Sequence, residues 1–259
     1  MNLMILDQVK EAYVKDLMTK GKRGDGRKLD EYRAVKVEKD LYTNSEGSAL
    51  AHLGDTKVLA AVKFDVLAPF ADRPNEGVVM VNSEFSTMAH PDFEAGPPNE
   101  NSIELARVVD RGIRSAGVVD AKKLFLEENK VMGVFIDLYI LDHCGNLTDT
   151  ASLAAMAALR TAKVPKYEDG KLIRADFKGM LELNQNVLTT TFEKINGRLV
   201  VDATNEEEVA SDGRFTIATA DGDFVAACQK SGAAGFTEED FMEMIDSSIV
   251  KRKELMQKI

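Results

Sequence analysis

Three arginines, Arg107, Arg111 and Arg114, recur at spacings of four and three residues within Ser102–Ser115, a segment whose apolar residues repeat with helical period. At ~100° per residue, Leu105, Val108, Val109, Gly112, Ile113 and Ala116 share one arc, and the arginines fall on the opposite arc within roughly 60° of one another. Such a row suits phosphate, because each planar guanidinium donates two parallel hydrogen bonds. The same row fits a solvated face on which Glu104 and Asp110 cancel Arg107 and Arg114 as weak surface pairs. Only Arg111 then lacks an intrahelical acid. Spacing alone leaves both readings open.

Other candidates are thinner. Asp137, Asp142 and Asp202 sit in strand-like patterns and would form a carboxylate metal site for phosphoester hydrolysis if the fold brought them together, although such residues more often cap strands. His52 reads as a packed side chain. His143 follows Asp142, but adjacent strand residues point to opposite faces, which spoils an acid–base pair. No G-x-S-x-G elbow occurs, and Gly24-x-Gly26 and Gly232-x-x-Gly235 match neither a P-loop nor a dinucleotide fingerprint. Two cysteines, Cys144 and Cys228, and three histidines leave no CxxC or HxxxH zinc spacing. The residues offer no self-sufficient active site: no catalytic set and no metal ligands are assigned.

These residues must be carried by a chain of 259 residues with 43 acidic and 33 basic side chains, a net charge of −10. That length suggests one large or two small domains. The acidic balance excludes a protein that coats nucleic acid over its whole surface, so any polyanion contact needs a local basic patch. No apolar run approaches a membrane span, and the charged N-terminus lacks a signal-peptide core. Two thiols without a disulfide framework point to the reducing cytoplasm.

The elements read as α+β. Residues 3–19 form an amphipathic helix with Ile5, Val9, Tyr13 and Leu17 in one line and Leu6, Val14 and Met18 beside it. Strands follow at Ala34–Val37, Ser48–Leu53 and Thr56–Phe64, the last two joined by a Gly54-Asp55 turn, and then at Val78–Phe85 and Val131–Asp142. An alanine-rich helix spans about Thr148–Lys163, ended by Pro165, and Lys166–Gly170 is a polar break. Short strands at Leu188–Ile195, Arg198–Ala203, Arg214–Ala220 and Asp223–Gln229 are joined at Asn196-Gly197 and Asp221-Gly222, ahead of a last helix opened by Thr237-Glu238-Glu239-Asp240. The result is two β-rich lobes that share helices.

Several of these segments together resemble the RNase PH family. Arg23-Gly24-Asp25-Gly26-Arg27 matches its R-x-D-G-R motif, and Gly47-Ser48 with Gly54-Asp55-Thr56-Lys57-Val58 matches its first hairpin. Phe93-Glu94-Ala95-Gly96-Pro97-Pro98, followed by Glu104-Leu105-Ala106-Arg107 and Asp110-Arg111, is similar to the RNase PH-like archaeal exosome subunit that does not itself carry the catalytic residues. R-x-D-G-R alone is weak, whereas the ordered set is specific, and the likeness runs from about Tyr13 to the C-terminus.

The resemblance implies an RNase PH-like fold, with ribosomal-protein-type βαβα lobes and mixed sheets packed on helices. It implies a domain over residues 1–185 that includes the N-terminal helix, and a second over 186–259. The family's chemistry is phosphorolysis, in which inorganic phosphate attacks the terminal 3′ phosphodiester bond and releases a nucleoside diphosphate. It needs an arginine in a Gly-Thr-Arg turn, beside helix N-terminal amides, and a late aspartate. Here the turn reads Gly145-Asn146-Leu147-Thr148-Asp149, with an acid that would repel a phosphate dianion where the arginine is expected. The aspartate's position falls at about Arg214, with Asp212 close enough for a shifted alignment to supply the carboxylate.

The function that this resemblance implies is that of a non-catalytic subunit of a 3′-to-5′ phosphorolytic exoribonuclease of the archaeal exosome type. It would form a hexameric ring, a trimer of heterodimers, with the catalytic RNase PH-like paralogue, and would meet RNA-binding cap subunits and single-stranded RNA 3′ ends. It would hold no cofactor, inorganic phosphate being used in the partner's site. Arg107 and Arg111 match RNA-gripping arginines, with Arg114 weaker. The rival within the family is a self-sufficient phosphorolytic exoribonuclease, and the rival outside it is the carboxylate-metal phosphoesterase.

Overall fold

The computed structural model describes residues 2–259, with side chains from Gln8 onward. Two sheets and the helix between them organise the chain. The first sheet has the order β1 (Val35–Lys39), β2 (Gly47–Leu53), β3 (Thr56–Leu67), β6 (Lys130–Asp142), β4 (Val78–Phe85), with the short β5 (Phe125–Glu127) also on β6. It is mixed because β4 runs parallel to β6 while the other pairs are antiparallel. The parallel pair is possible because α2 (Glu100–Ala116) supplies the crossover. Gly54 takes φ +57° at the β2–β3 corner, as the Gly-Asp turn requires.

The second sheet, β10 (Arg198–Val201), β9 (Val187–Ile195), β11 (Gly213–Ala220), β12 (Phe224–Gly232), is wholly antiparallel, so the mixed-sheet expectation holds for the first lobe alone. Asn196 and Gly197 both have positive φ, the two-residue turn that this dipeptide favours. The β11–β12 loop is one residue longer than expected, with Asp221, Gly222 and Asp223 between paired Ala220 and Phe224.

Between the sheets lies α3 (Leu147–Thr161), which packs on β2 and β3 on one side and β9 on the other. A helix covered on both sides is buried over most of its surface, and Ala151, Ala154, Ala155, Ala157 and Ala158 are all fully buried. Leu153, Met156 and Leu159 fill the remaining space on the same helix. The helix stops at Thr161, before Pro165 is reached: Lys163–Glu168 is a strand, β7, that pairs with β8 (Lys171–Met180). Pro165 sits at an irregularity in that ladder, where a missing N–H is tolerated. The turn Asp169-Gly170 has positive φ at both residues, so the polar break is a hairpin tip.

Helix α1 (Asn2–Thr19) differs from its expected apolar line. Val14 and Met18 are buried against Ile195, Val200 and Ala210 of the second lobe, while Val9 and Tyr13 stay more than half exposed. Ile5 and Leu6 lie outside the described side chains. The helix thus packs with the second sheet, although sequence order joins it to the first. The last helix, α5 (Glu238–Met256), carries the expected cap: Thr237 and Asp240 exchange hydrogen bonds as a full capping box. Among the described residues, no helix is long and apolar enough to cross a membrane.

Candidate nucleic-acid interface and the adjoining pocket

Helix α2 is fixed at both ends. The Asn99 side chain accepts from the Ser102 N–H at 2.9 Å, and Gly117, at φ +64°, closes the C-terminus. Leu105, Val109, Ile113 and Ala116 are buried, and Gly112 lets the helix approach β11, where a Cβ would meet that of Ala218 at 3.3 Å. The opposite face carries the arginines, and all three are exposed. Arg114 donates to Asp110 at 2.9 Å, the surface pair that spacing foresaw. The Glu104–Arg107 pair does not form, because Glu104 accepts from Ser231 of β12 at 2.9 Å. Arg107 is left without an ion-pair partner among the described residues. Arg111 donates to Gln229 Oε1 at 2.8 Å, a neutral contact that orients the guanidinium and leaves its charge uncompensated.

Beside this helix lies a pocket of about 190 Å³ between α2, the α3 N-terminus and β11, lined among others by Phe93, Glu104, His143, Thr148, Glu208 and Arg214. Arg214 and Thr216 reach it together because alternate residues of β11 share a face. The Arg214 guanidinium pairs with Glu193 of β9 and, at 2.9 Å, with Glu208. Glu208 belongs to the short helix α4 (Asn205–Val209), and its Oε1 also accepts from the Asn146 backbone N–H at 2.8 Å. Burial, with the neighbouring Glu208 charge adding to it against the opposing Arg214, pushes the Glu193 carboxyl up to about 7. The Arg214 guanidinium is held firmly charged by Glu208 and Glu193 despite its own burial. Neither glutamate was singled out from the sequence. Glu193 is the lone acid in a buried strand, a legible anomaly, and Glu208 was lost within an acidic loop.

The expected acids land elsewhere. Asp149 does not face the pocket to repel anything. It is buried and accepts from Tyr32 Oη at 2.9 Å, Asn146 Nδ2 at 2.9 Å, Thr189 Oγ1 at 3.0 Å, and both the N–H and Oγ1 of Thr191 at 3.0 and 2.8 Å. Burial raises its carboxyl against these bonds. Where the resemblance places a phosphate-binding arginine, Asp149 braces α3 against β9. Asp212 cannot stand in for the missing acid, since it accepts from the Asn196 N–H at 2.8 Å and pairs with Lys15 at 3.2 Å, turned toward α1.

Asp137, Asp142 and Asp202 are not brought together. Asp137 bonds Asn82, Asp142 pairs with Lys57, and among the described residues no group of three His, Cys, Asp or Glu side chains is placed to hold a metal ion. Asp202 is fully buried and is saturated by Arg27 at 2.8 Å and by Arg33 through Nε at 2.9 Å and Nη2 at 2.7 Å. Arg23, also buried, grips Glu207 through two bonds and the Val201 and Asp202 carbonyls through two more. The R-x-D-G-R segment is therefore structural here.

His143 stacks on Phe93 with ring centroids 5.6 Å apart and 7° between planes, while Asp142 points away to Lys57. Burial, with the His90, Arg214 and Arg33 charges, lowers its pKa to about 4. An unfolded histidine protonates near 6.5. Between these values the unfolded chain holds more protons, so this group's contribution to stability is lost as pH falls from about 6.5 to 4. The stability of the protein relative to His143→Gln, from urea melts, is expected to drop by about 1–2 kcal/mol across that window, discounted because the ring is only half-buried. A difference flat with pH would contradict the burial-driven shift.

The domain 1 profile of the 3′ exoribonuclease family, RNase PH, matches residues 31–165, and the domain 2 profile matches residues 185–250. The chain belongs to that family. It is 44% identical over 251 residues to the exosome complex component Rrp42 of Aeropyrum pernix, covering 95% of this chain and 91% of that protein. Among solved structures it is similar to a chain of the Archaeoglobus fulgidus exosome with RNA bound to the active site, with TM-score 0.91 and 42% identity over 98% of this chain and 99% of that one. An archaeal exosome core chain matches with TM-score 0.89 and 40% identity over 100% and 99%. The expected α+β, RNase PH-like fold is the one observed.

Proposed function

We propose that this chain is a non-catalytic, RNA-positioning subunit of an exosome-type 3′-to-5′ phosphorolytic exoribonuclease, acting in the cytoplasm. It alternates with a catalytic RNase PH-like paralogue in a hexameric ring, a trimer of heterodimers that also receives RNA-binding cap subunits. It carries no cofactor, and inorganic phosphate is consumed in the paralogue's site. Arg107 and Arg111 hold the backbone of single-stranded RNA near that site. Arg114 contributes less, because Asp110 already compensates it.

The observation that carries this reading is the Glu193–Arg214–Glu208 cluster. Phosphorolysis needs a cation for phosphate and an acid for the leaving oxygen. The pocket's guanidinium, Arg214, is taken by two carboxylates, and Asp149 and Asp212 are engaged away from the pocket. The arginine face supports the RNA role, because phosphate neutralisation without base reading gives the sequence-tolerant grip that a degradation machine needs.

The test is phosphate-dependent release of nucleoside diphosphates from oligo-RNA. The chain alone is expected to release none, and mixing it with the paralogue is expected to give trimming that the lone chain lacks. Turnover by the lone chain, abolished by Asp212→Asn, would establish the self-sufficient exoribonuclease instead. Hydrolysis that needs Mg²⁺ or Mn²⁺ and no phosphate would favour the metal phosphoesterase.

A further inference from the structure

Helix α2 packs on β12, an edge strand of the second sheet. The family's domain 1 profile covers α2 and its domain 2 profile covers β12, so two domains meet beside the arginines. Gln229 and Ser231 are alternate residues of β12 and share the face turned to the helix. Each bonds a charged side chain of α2. Gln229 Oε1 accepts from Arg111 Nη1 at 2.8 Å, and Ser231 Oγ donates to Glu104 Oε1 at 2.9 Å.

The two bonds act differently on charge. Glu104 stands three residues before Arg107, the spacing of an ion pair on a helix, yet its carboxylate is drawn to Ser231 instead. Arg214 is the cross-strand neighbour of Ser231 on the β11–β12 ladder, so its guanidinium lies on the same face. Against its own burial, Glu208, Glu193 and then Glu104 hold that guanidinium charged. Arg214 therefore attracts Glu104 from the same side as the serine. Gln229, by contrast, is neutral. It orients Arg111 where a glutamate would also offset the charge, as Asp110 does for Arg114. Among the described residues, neither Arg107 nor Arg111 has a carboxylate partner.

We infer that Gln229 and Ser231 are positioning residues for RNA binding: Ser231 draws Glu104 off Arg107, and Gln229 fixes Arg111 through a neutral contact. The second domain thereby keeps both guanidinium charges open to phosphate. The inference rests on the proposed RNA-gripping role of those arginines and deepens it. It assigns to β12 an effect on RNA that is exerted through α2.

The experiment measures binding of a labelled single-stranded oligoadenylate over a salt series, in fully assembled complexes reconstituted with the paralogue. Gln229→Glu keeps the size and the hydrogen bond and sets a charge against Arg111. It is expected to weaken binding about threefold or more at ~0.1 M salt and to lower the salt slope by about 0.7, as Arg111→Ala does. Combined with Arg111→Ala, it should lower the slope no further. Gln229→Ala leaves the charge and should keep the slope. Ser231→Ala releases Glu104 to Arg107 and should weaken binding about twofold, the scale of one helical ion pair. Ser231→Thr retains the hydroxyl and should bind as the unaltered complex does. Glu104→Gln should gain more affinity in the Ser231→Ala background than in the unaltered one, a coupling that a merely structural serine does not produce. An unchanged slope in Gln229→Glu, or no coupling between Ser231→Ala and Glu104→Gln, would overturn the inference. If Arg107→Ala/Arg111→Ala still weakens binding in that case, the RNA role of the arginines stands. If the arginine pair has no effect either, both readings fail.

Discussion

In the complex reconstituted with the paralogue, Arg107→Ala/Arg111→Ala is expected to bind single-stranded RNA tenfold or more weakly than the unaltered complex at ~0.1 M salt. The slope of log affinity against log salt should fall by about 0.7 for each phosphate no longer neutralised, about 1.4 for the pair. The physical basis is that both charges are uncompensated. Arg107 has no acid in reach among the described residues, and Arg111 meets only a neutral amide. Among the described residues no carboxylate competes with RNA for either guanidinium. Arg114→Ala should change the slope less, because its charge is already offset by Asp110. Since phosphate contacts carry no base information, the loss should be the same for unrelated RNA sequences. Fluorescence anisotropy over a salt series measures all of this. An unchanged slope would mean that the α2 face is merely solvated.

Asp202→Asn is expected to destabilise the isolated chain by about 3–5 kcal/mol, a large share of the ~5–15 kcal/mol that holds a domain together. The carboxylate is fully buried and is the shared counter-ion of Arg27 and Arg33, whose side chains are themselves almost inaccessible. Arg33 continues to the Cys144 and Gly145 carbonyls at 2.7 and 3.1 Å, so the same cluster ties the second lobe to the turn before α3. Asparagine keeps the volume and tolerates the left-handed backbone of Asp202, at φ +53°, and it isolates the lost charge. Asp202→Ala should cost about 1–2 kcal/mol more, because alanine lacks that tolerance. Urea melts with an unchanged m-value give the difference. A loss under about 1 kcal/mol would mean that the arginines find other partners.

Asp202, which the sequence offers only as a candidate metal ligand, is instead the centre of a buried charge cluster, and the reason is geometric. Asp202 invited a metal reading because an acid near the end of a strand has no visible partner in one dimension. Its partners stand 169 and 175 positions away. The Asp149 substitution was visible as the loss of an arginine, but its new use as a brace to Thr189 and Thr191 depended on where α3 meets β9. The hairpin of β7 and β8 was within reach: Asp169-Gly170 carries the same turn chemistry as Asn196-Gly197, and Pro165 argued against it only because a proline in a ladder looks like a breaker.

By itself the sequence determined what is local or periodic: the α2 arc with its arginines outward, the turns at Gly54-Asp55 and Asn196-Gly197, and the cap at Thr237. Each depends on residues within one or two turns of chain, where geometry follows from identity. Tertiary structure alone decided which charges are spent. Glu104 turned to Ser231 and freed Arg107, Glu208 entered the pocket to meet Arg214, and α1 settled on the second sheet. Coulomb pairing depends on distance in space, and separation along the chain does not report it.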